Sequence, residues 1–189
     1  MTAEVVAQVI GTSDLALRVK ELGEAISHDY GDTRPVLLSV LVGSLPFVAD
    51  LARAIRVPVD IDFLALSRFG EGGRIRIALD SSIPLQDRHV LIVEDIVDTG
   101  LSLTVLRRML ADRGAASVGT VALLDKVPRR VVEVPLEYRG FEVGDGYLIG
   151  YGLDYEGRFR NLPSIWAVLD GDEMARDPDL VAHLLYPGK

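Results

Sequence analysis

Residues 90–104, VLIVEDIVDTGLSLT, bring together side chains that can hold a phosphorylated sugar. Four apolar residues, Val90 to Val93, read as a buried strand. Two adjacent carboxylates, Glu94 and Asp95, stand at its carboxyl end, and Asp98, Thr99, Gly100, Leu101 and Ser102 then lead into a helix. The first turn of a helix presents N–H groups without acceptors and a partial positive charge, which suits phosphate. Gly100 lets the backbone approach closely, and Thr99 and Ser102 add hydroxyl donors. Glu94 and Asp95 have the wrong sign for phosphate. They can accept hydrogen bonds from sugar hydroxyls or hold a hydrated magnesium ion. A phosphate cradle beside a hydroxyl-binding acidic pair describes a ribose 5-phosphate site. Taken singly, Asp98 and Ser102 are helix caps and the two acids a solvated pair; the ordered combination points to a ligand. No GxxxxGKS/T or GxGxxG pattern is present.

These residues need a scaffold. Leu15, Val19, Leu22 and Ile26 alternate by four and three, which predicts a helix from about Ser13 to about His28. Pro35 to Leu41 is a short apolar run of buried-strand type, and Ser44 is placed to cap a helix reaching about Ile55. Val59, Ile61 and Phe63 alternate with Asp60 and Asp62, the pattern of a strand within Val57 to Leu66. A glycine-rich turn or mobile loop, then a strand, follows in SRFGEGGRIRIA. A helix is expected from about Leu101 to about Arg113, stopped by Gly114, and a strand from Val118 to Leu124. Shorter strands are expected around residues 137–142, 147–150 and 165–169, and the acidic stretch after Asp170 reads as a surface helix. Strands alternating with helices imply an α/β fold with a mainly parallel sheet covered on both faces. Ligands of such sheets sit beyond the carboxyl ends of the strands.

The chain has 189 residues, 49% of them hydrophobic, enough for one domain with a full core. There is no cysteine, so disulfides, thiolate metal sites and thiol nucleophiles are excluded, and a reducing cytoplasm is the expected location. No basic region followed by an apolar core opens the sequence, so no signal peptide is expected, and no apolar run is long enough to span a bilayer. The formal charge of −8 argues against a nucleic-acid partner. His28, His89 and His183 match no metal spacing, and Arg129-Arg130 reads as a solvated turn ahead of the alternative, an aid to phosphate binding. Trp166 reads as core or interface.

The 90–104 segment resembles the phosphoribosyl-pyrophosphate signature of type I phosphoribosyltransferases, and is most similar to that of the hypoxanthine (guanine) members. The resemblance runs from about Val9 to about Ala167. It implies a single domain, residues 1–189, with a mobile lid loop and a small hood made of part of the N-terminus and about 145–189. It also implies transfer of ribose 5-phosphate from phosphoribosyl pyrophosphate to a purine nitrogen, with Mg2+. In the family pattern Glu94 and Asp95 hold the ribose hydroxyls, and also fall among the metal ligands. Asp98 is the general base. Thr99, Gly100, Leu101 and Ser102 cradle the 5-phosphate, and Lys126 donates to the purine 6-oxo group. Within GYLIGYGLDYEGRFRNL, Tyr147 takes the place of the stacking aromatic and the Leu148 backbone that of the purine-edge reader. Asp154 matches a magnesium-binding position and Arg160 a pyrophosphate-binding one. Val42 and Gly43 occupy the pyrophosphate loop, where the family usually has lysine or arginine in place of Val42. Ser67, Arg68 and Phe69 fall at the start of the lid, where the family usually has Ser-Ser-Tyr. Family members are usually dimers or tetramers, so a homodimer or homotetramer is expected, and no membrane partner. Two other readings keep the fold: transfer to xanthine or a non-purine base, and a non-catalytic regulator that senses phosphoribosyl pyrophosphate or nucleotides.

Overall fold

A computed structural model describes residues 5–69, 74–177, 181–182 and 185–186. The apolar runs become strands and the periodic segments become helices. In chain order these are β1 (Val6–Ile10), α1 (Thr12–Tyr30), β2 (Val36–Leu41), α2 (Leu45–Ala54), β3 (Asp60–Phe69), β4 (Arg74–Leu79), β5 (His89–Val97), α3 (Leu101–Asp112) and β6 (Ser117–Asp125). A 3-10 turn (Val127–Arg129), β7 (Tyr138–Glu142), β8 (Tyr147–Ile149), β9 (Ile165–Val168) and α4 (Gly171–Arg176) follow. The chain divides into two units, residues 17–145 and residues 1–16 with 146–189, the boundary falling within α1. Among the described residues no helix is long and apolar enough to cross a membrane.

The larger unit is built on a six-stranded sheet in the order β4-β3-β2-β5-β6-β7. Its pairs are parallel except β3 with the edge strand β4. Val36, Leu38, Val90, Ile92 and Ala122 point to one face and pack with Leu103, Leu106 and Leu110 of α3. Their alternates Leu37, Leu91, Val121 and Leu123 are equally buried. Both faces are therefore covered, which is why these strands read as continuous apolar runs. Helices α1 and α2 approach so closely that a Cβ on Gly23 would stand 2.6 Å from the Ala54 side chain.

The order of strands creates a switch point. From β2 the chain crosses through α2 to β3 on one side, whereas β5 lies on the other side of β2. Strands β2 and β5 are in register only from Val36↔Val90 to Ser39↔Val93. Beyond that, β2 continues with β3 to Leu41↔Ala65 and β5 continues with β6 to Val97↔Asp125. A crevice opens between their carboxyl ends, the usual ligand position of an open α/β sheet.

Three local expectations change. Strand β5 does not stop at Val93 but carries Glu94 and Asp95 within it, because β6 keeps pairing after β2 has turned away. Ser44 precedes α2 but caps nothing; its hydroxyl bonds to Val40 O and Ser39 Oγ inside the turn. Strand β3 covers the alternating residues but starts at Asp60 and runs on through Phe69, into the expected turn, and its polarity is reversed: Ile61 is 44% exposed and Asp62 only 8%. The buried carboxylate is satisfied by its neighbours. Asp62 accepts from the Ser81 hydroxyl at 2.6 Å and from the N–H groups of Ser82, Ile83 and Phe63 at 2.7, 2.8 and 2.8 Å. Burial works to raise this carboxyl, but those bonds together hold it below the usual carboxylate range.

The smaller unit carries the antiparallel sheet β1-β9-β8. Its core joins Val5, Val6, Ile149, Phe159 and Leu162 with Met174, Val181 and Leu185. Trp166 packs against this core and donates its indole N–H to Ser164 Oγ at 2.8 Å. The acidic stretch after Asp170 begins with the six-residue α4, capped by Asp170 accepting from Glu173 N.

Asp62→Ala strands several donors at once and is expected to cost about 2 kcal/mol at neutral pH in urea unfolding. A carboxyl depressed in the folded state stabilises above its unfolded value, and that contribution is lost as pH falls through the folded value. The gap between variant and parent should therefore narrow as pH drops below 3.8.

Candidate functional site

Within the larger unit, the crevice is lined by Val40 and Leu66 on the β2–β3 side and by Glu94, Ile96, Val97, Asp98, Thr99, Gly100, Ser102 and Leu103 on the β5–α3 side, and encloses about 250 Å3. Seven residues of the motif read from the sequence, 94 and 98–102 with Asp95 beside them, thus fall at or next to one cleft. Glu94 lines it. Asp95, next along the strand, turns its Oδ1 back to the N–H of Ile96 at 2.8 Å. Burial, and then the neighbouring Asp95 charge, push the Glu94 carboxyl well above the usual carboxylate range. A carboxyl raised in this way is short of a cation or of hydroxyl donors. Magnesium commonly takes one or two protein carboxylates and fills its shell with water and substrate oxygens. The acidic pair fits that demand. Among the described residues no three His, Cys, Asp or Glu side chains form a ready-made metal cage.

Gly100 is the N-cap of α3, at φ +82°, and supplies no capping side chain. The helix N-terminus is therefore open to a ligand; among the described residues its side-chain contact is a long one, from Leu101 N to Thr99 Oγ1 at 3.4 Å. Helix α3 carries no acidic residue in its first turn, so its own side chains do not cancel its partial positive charge. A Cβ on Gly100 would lie 2.9 Å from Val132 O and 3.0 Å from Arg130 Nη1.

That contact exposes a partner the sequence reading missed. The segment after β6 wraps over the cradle loop. Lys126 N donates to Val97 O at 2.9 Å, and Val131 N and Val132 N both donate to Thr99 O at 3.0 and 3.2 Å. The solvated-turn reading holds for Arg129 only in its exposure, since the side chain is paired, and fails for Arg130, which is largely buried. Arg129 Nε donates to Asp98 Oδ1 at 3.1 Å. Arg130 is largely buried, and its Nε donates to Asp125 Oδ1 at 2.8 Å. Asp125 is itself buried and is reached on its other oxygen by Arg139 Nε at 3.2 Å. A polar residue ending an otherwise apolar strand, followed within five positions by two arginines, was the available signal. Lys126, at the end of β6, keeps its ammonium free of bonds and ion pairs among the described residues.

Val42 and Gly43 occupy the turn between β2 and α2, with Leu45 N donating to Val42 O, and Val42 is 57% exposed. Ser67 lies on β3, and its hydroxyl is buried without a partner among the described residues. Arg68 and Phe69 end β3, paired in register with Ile75 and Arg74. Gly70 and the residues to 73 lie outside the described residues, as does His183. His28 is exposed beside Asp29, and His89 bonds Ser117 Oγ at 2.8 Å.

In the smaller unit, Tyr147 stands 51% exposed on the edge strand β8, its ring edge-on to Tyr155 at 5.8 Å. Its hydroxyl donates to Asp154 O at 2.7 Å. Burial and the Asp154 charge raise it above the usual tyrosine range. Leu148, in the same edge strand, pairs with Ala167 of β9, and among the described residues β8 has no sheet partner on its other side. Asp154 and Arg160 are bound to each other at 2.7 Å. The second Asp154 oxygen accepts from Gly157 N, and Arg160 Nη1 donates to Gly152 O at 2.6 Å. A cation or pyrophosphate taken there would exchange with these bonds.

The phosphoribosyl transferase domain family matches residues 10–156. The chain is 40% identical over 161 residues to the hypoxanthine-guanine phosphoribosyltransferase of Bacillus subtilis (strain 168), covering 83% of this chain and 89% of that one. It is 42% identical over 168 residues to the hypoxanthine phosphoribosyltransferase of Haemophilus influenzae, covering 85% and 94%. Its fold is similar to the crystal structure of a hypoxanthine-guanine phosphoribosyltransferase from Bacillus anthracis, with a TM-score of 0.84 and 35% identity over 88% of this chain and 100% of that one.

Gly100→Ala forces a side chain into a left-handed backbone against Val132 O. It is expected to lower stability by about 2 kcal/mol in denaturant unfolding.

Proposed function

The chain belongs to the phosphoribosyltransferase family, and we propose on that footing that it transfers the 5-phosphoribosyl group of phosphoribosyl pyrophosphate to a 6-oxopurine. The acceptor is hypoxanthine or guanine, the products IMP or GMP and pyrophosphate, and the setting purine salvage. The names of the relatives support the acceptor. The observation that carries the reading is the switch-point crevice, with Glu94 along one wall and the uncapped start of α3 at its end.

The chemistry follows from the residue types. The 5-phosphate accepts from the first-turn N–H groups of α3 and from the Thr99 and Ser102 hydroxyls. Glu94 and Asp95 accept from the ribose hydroxyls. Positive charge developing at the anomeric carbon is favoured by carboxylates fixed beside it. Asp98 takes the proton from the purine nitrogen that becomes bonded to ribose. Lys126 donates to the 6-oxo group; adenine would present an amino group to that ammonium, so it is disfavoured. Magnesium, held by the acidic pair, would supply charge neutralisation to the departing pyrophosphate. Tyr147 and Leu148 take the base-binding roles that the resemblance implies, Asp154 the magnesium-binding one and Arg160 the pyrophosphate-binding one, with Val42 and Gly43 in a backbone role toward pyrophosphate. With the family come a homodimer or homotetramer and a cytoplasmic location.

The test is nucleotide formation from phosphoribosyl pyrophosphate and Mg2+ with hypoxanthine, guanine, xanthine or adenine offered separately. Turnover with the first two and little with adenine is expected. Binding of phosphoribosyl pyrophosphate without turnover on any base would establish the regulator instead. Asp98→Asn should lower kcat about 100-fold or more while the unfolding transition persists; an unchanged rate would remove Asp98 from the mechanism. Chelation with EDTA should abolish turnover, and added Mg2+ should restore it.

A further inference from the structure

We infer that Arg129 is a positioning residue for Asp98, a role that rests on reading Asp98 as the base and that family resemblance does not assign. The backbone on either side of Asp98 is already fixed. Val97 is buried at the end of β5 and its carbonyl accepts from Lys126 N, while the Thr99 carbonyl accepts from Val131 N and Val132 N. What stays free is the Asp98 side chain, 47% exposed at the cleft wall. Arg129 removes that freedom with one bond, Nε to Oδ1 at 3.1 Å, across 31 residues of sequence. Among the described residues the second oxygen, Oδ2, receives no donor. The base thus has one oxygen held and one presented.

Arg129 can do this because its own backbone is anchored. It ends the 3-10 turn, where its N–H donates to Lys126 O at 2.9 Å. The next residue, Arg130, is locked to the buried Asp125. The guanidinium therefore reaches out from a fixed post. An exposed ion pair of this kind adds little to stability. Its effect lies in orientation, where small misplacement of a catalytic group is costly in rate.

The experiment is a double-mutant cycle on the full chain, with kcat and KM measured for hypoxanthine and phosphoribosyl pyrophosphate. Arg129→Ala should lower kcat about tenfold and leave KM for phosphoribosyl pyrophosphate within about twofold. Arg129→Lys should recover part of the loss. Removing Arg129 in an Asp98→Asn background should change kcat by less than about twofold, because nothing remains to be positioned. An unchanged kcat in Arg129→Ala, or equal losses in both backgrounds, would overturn the inference while leaving the transferase reading intact. A parent protein that turns over no base would overturn both. Arg129 is 53% exposed, so Arg129→Ala is expected to unfold at the parent's midpoint; a lowered midpoint with kcat and KM changed together would assign Arg129 a structural role instead.

Discussion

Strands β2 and β5 stay hydrogen-bonded only as far as Ser39 and Val93, and the carboxyl edge of the sheet is organised by that parting. Up to this level the two strands are walls of one apolar interior. Past it each follows a different neighbour, and the backbone between them has no ladder to complete. The side chains at this parting are apolar on one side, Val40 and Leu66, and largely polar on the other. Polar ones can be held by strands that are still paired on their far sides. Glu94 is placed in this way, with β6 keeping its backbone extended while its carboxyl faces the opening. The loops that follow the two strands, Val42-Gly43 and Asp98–Gly100, leave the sheet on either side of the same divide.

A cleft made by divergence needs its loops pinned, and here the pinning comes from one neighbour. The segment after β6 supplies donors to the carbonyls of Val97 and Thr99 and surrounds Gly100 closely enough to exclude a methyl group. Behind it the buried Asp125 gathers Arg130 and Arg139. Removing a charge from water is unfavourable unless it is paired, so Asp125 and its arginines stand or fall together. The cradle loop is thus held from behind by ion pairs and in front by backbone bonds.

Much of this was legible from residue order. The run VLIV identified the central strand, and the carboxylates, glycine and hydroxyls after it identified the cradle, because each type has a local reason to be there. Helices α1 and α3 followed from their apolar spacing. What local pattern could not convey was which neighbour a polar group would find. Ile61 and Asp62 exchanged faces because Ser81, Ser82 and Ile83 come back to meet the carboxylate from twenty residues away. Arg129 and Arg130 looked solvated because their acids lie on β5's loop and at the end of β6. Asp154 and Arg160, six positions apart, found each other. Strand β1 went unread because a five-residue segment with exposed Gln8 and Val9 has neither a long apolar run nor a full alternation.

The antiparallel β4 and, at the opposite border, β7 are the edge strands of the large sheet, each with one sheet neighbour among the described residues. Each border carries charge: Arg76 on β4, Arg139 and Glu142 on β7. A strand from another molecule docking along either border would have to strip water from those groups before gaining a backbone bond. The charges therefore oppose sideways growth of the sheet into aggregates.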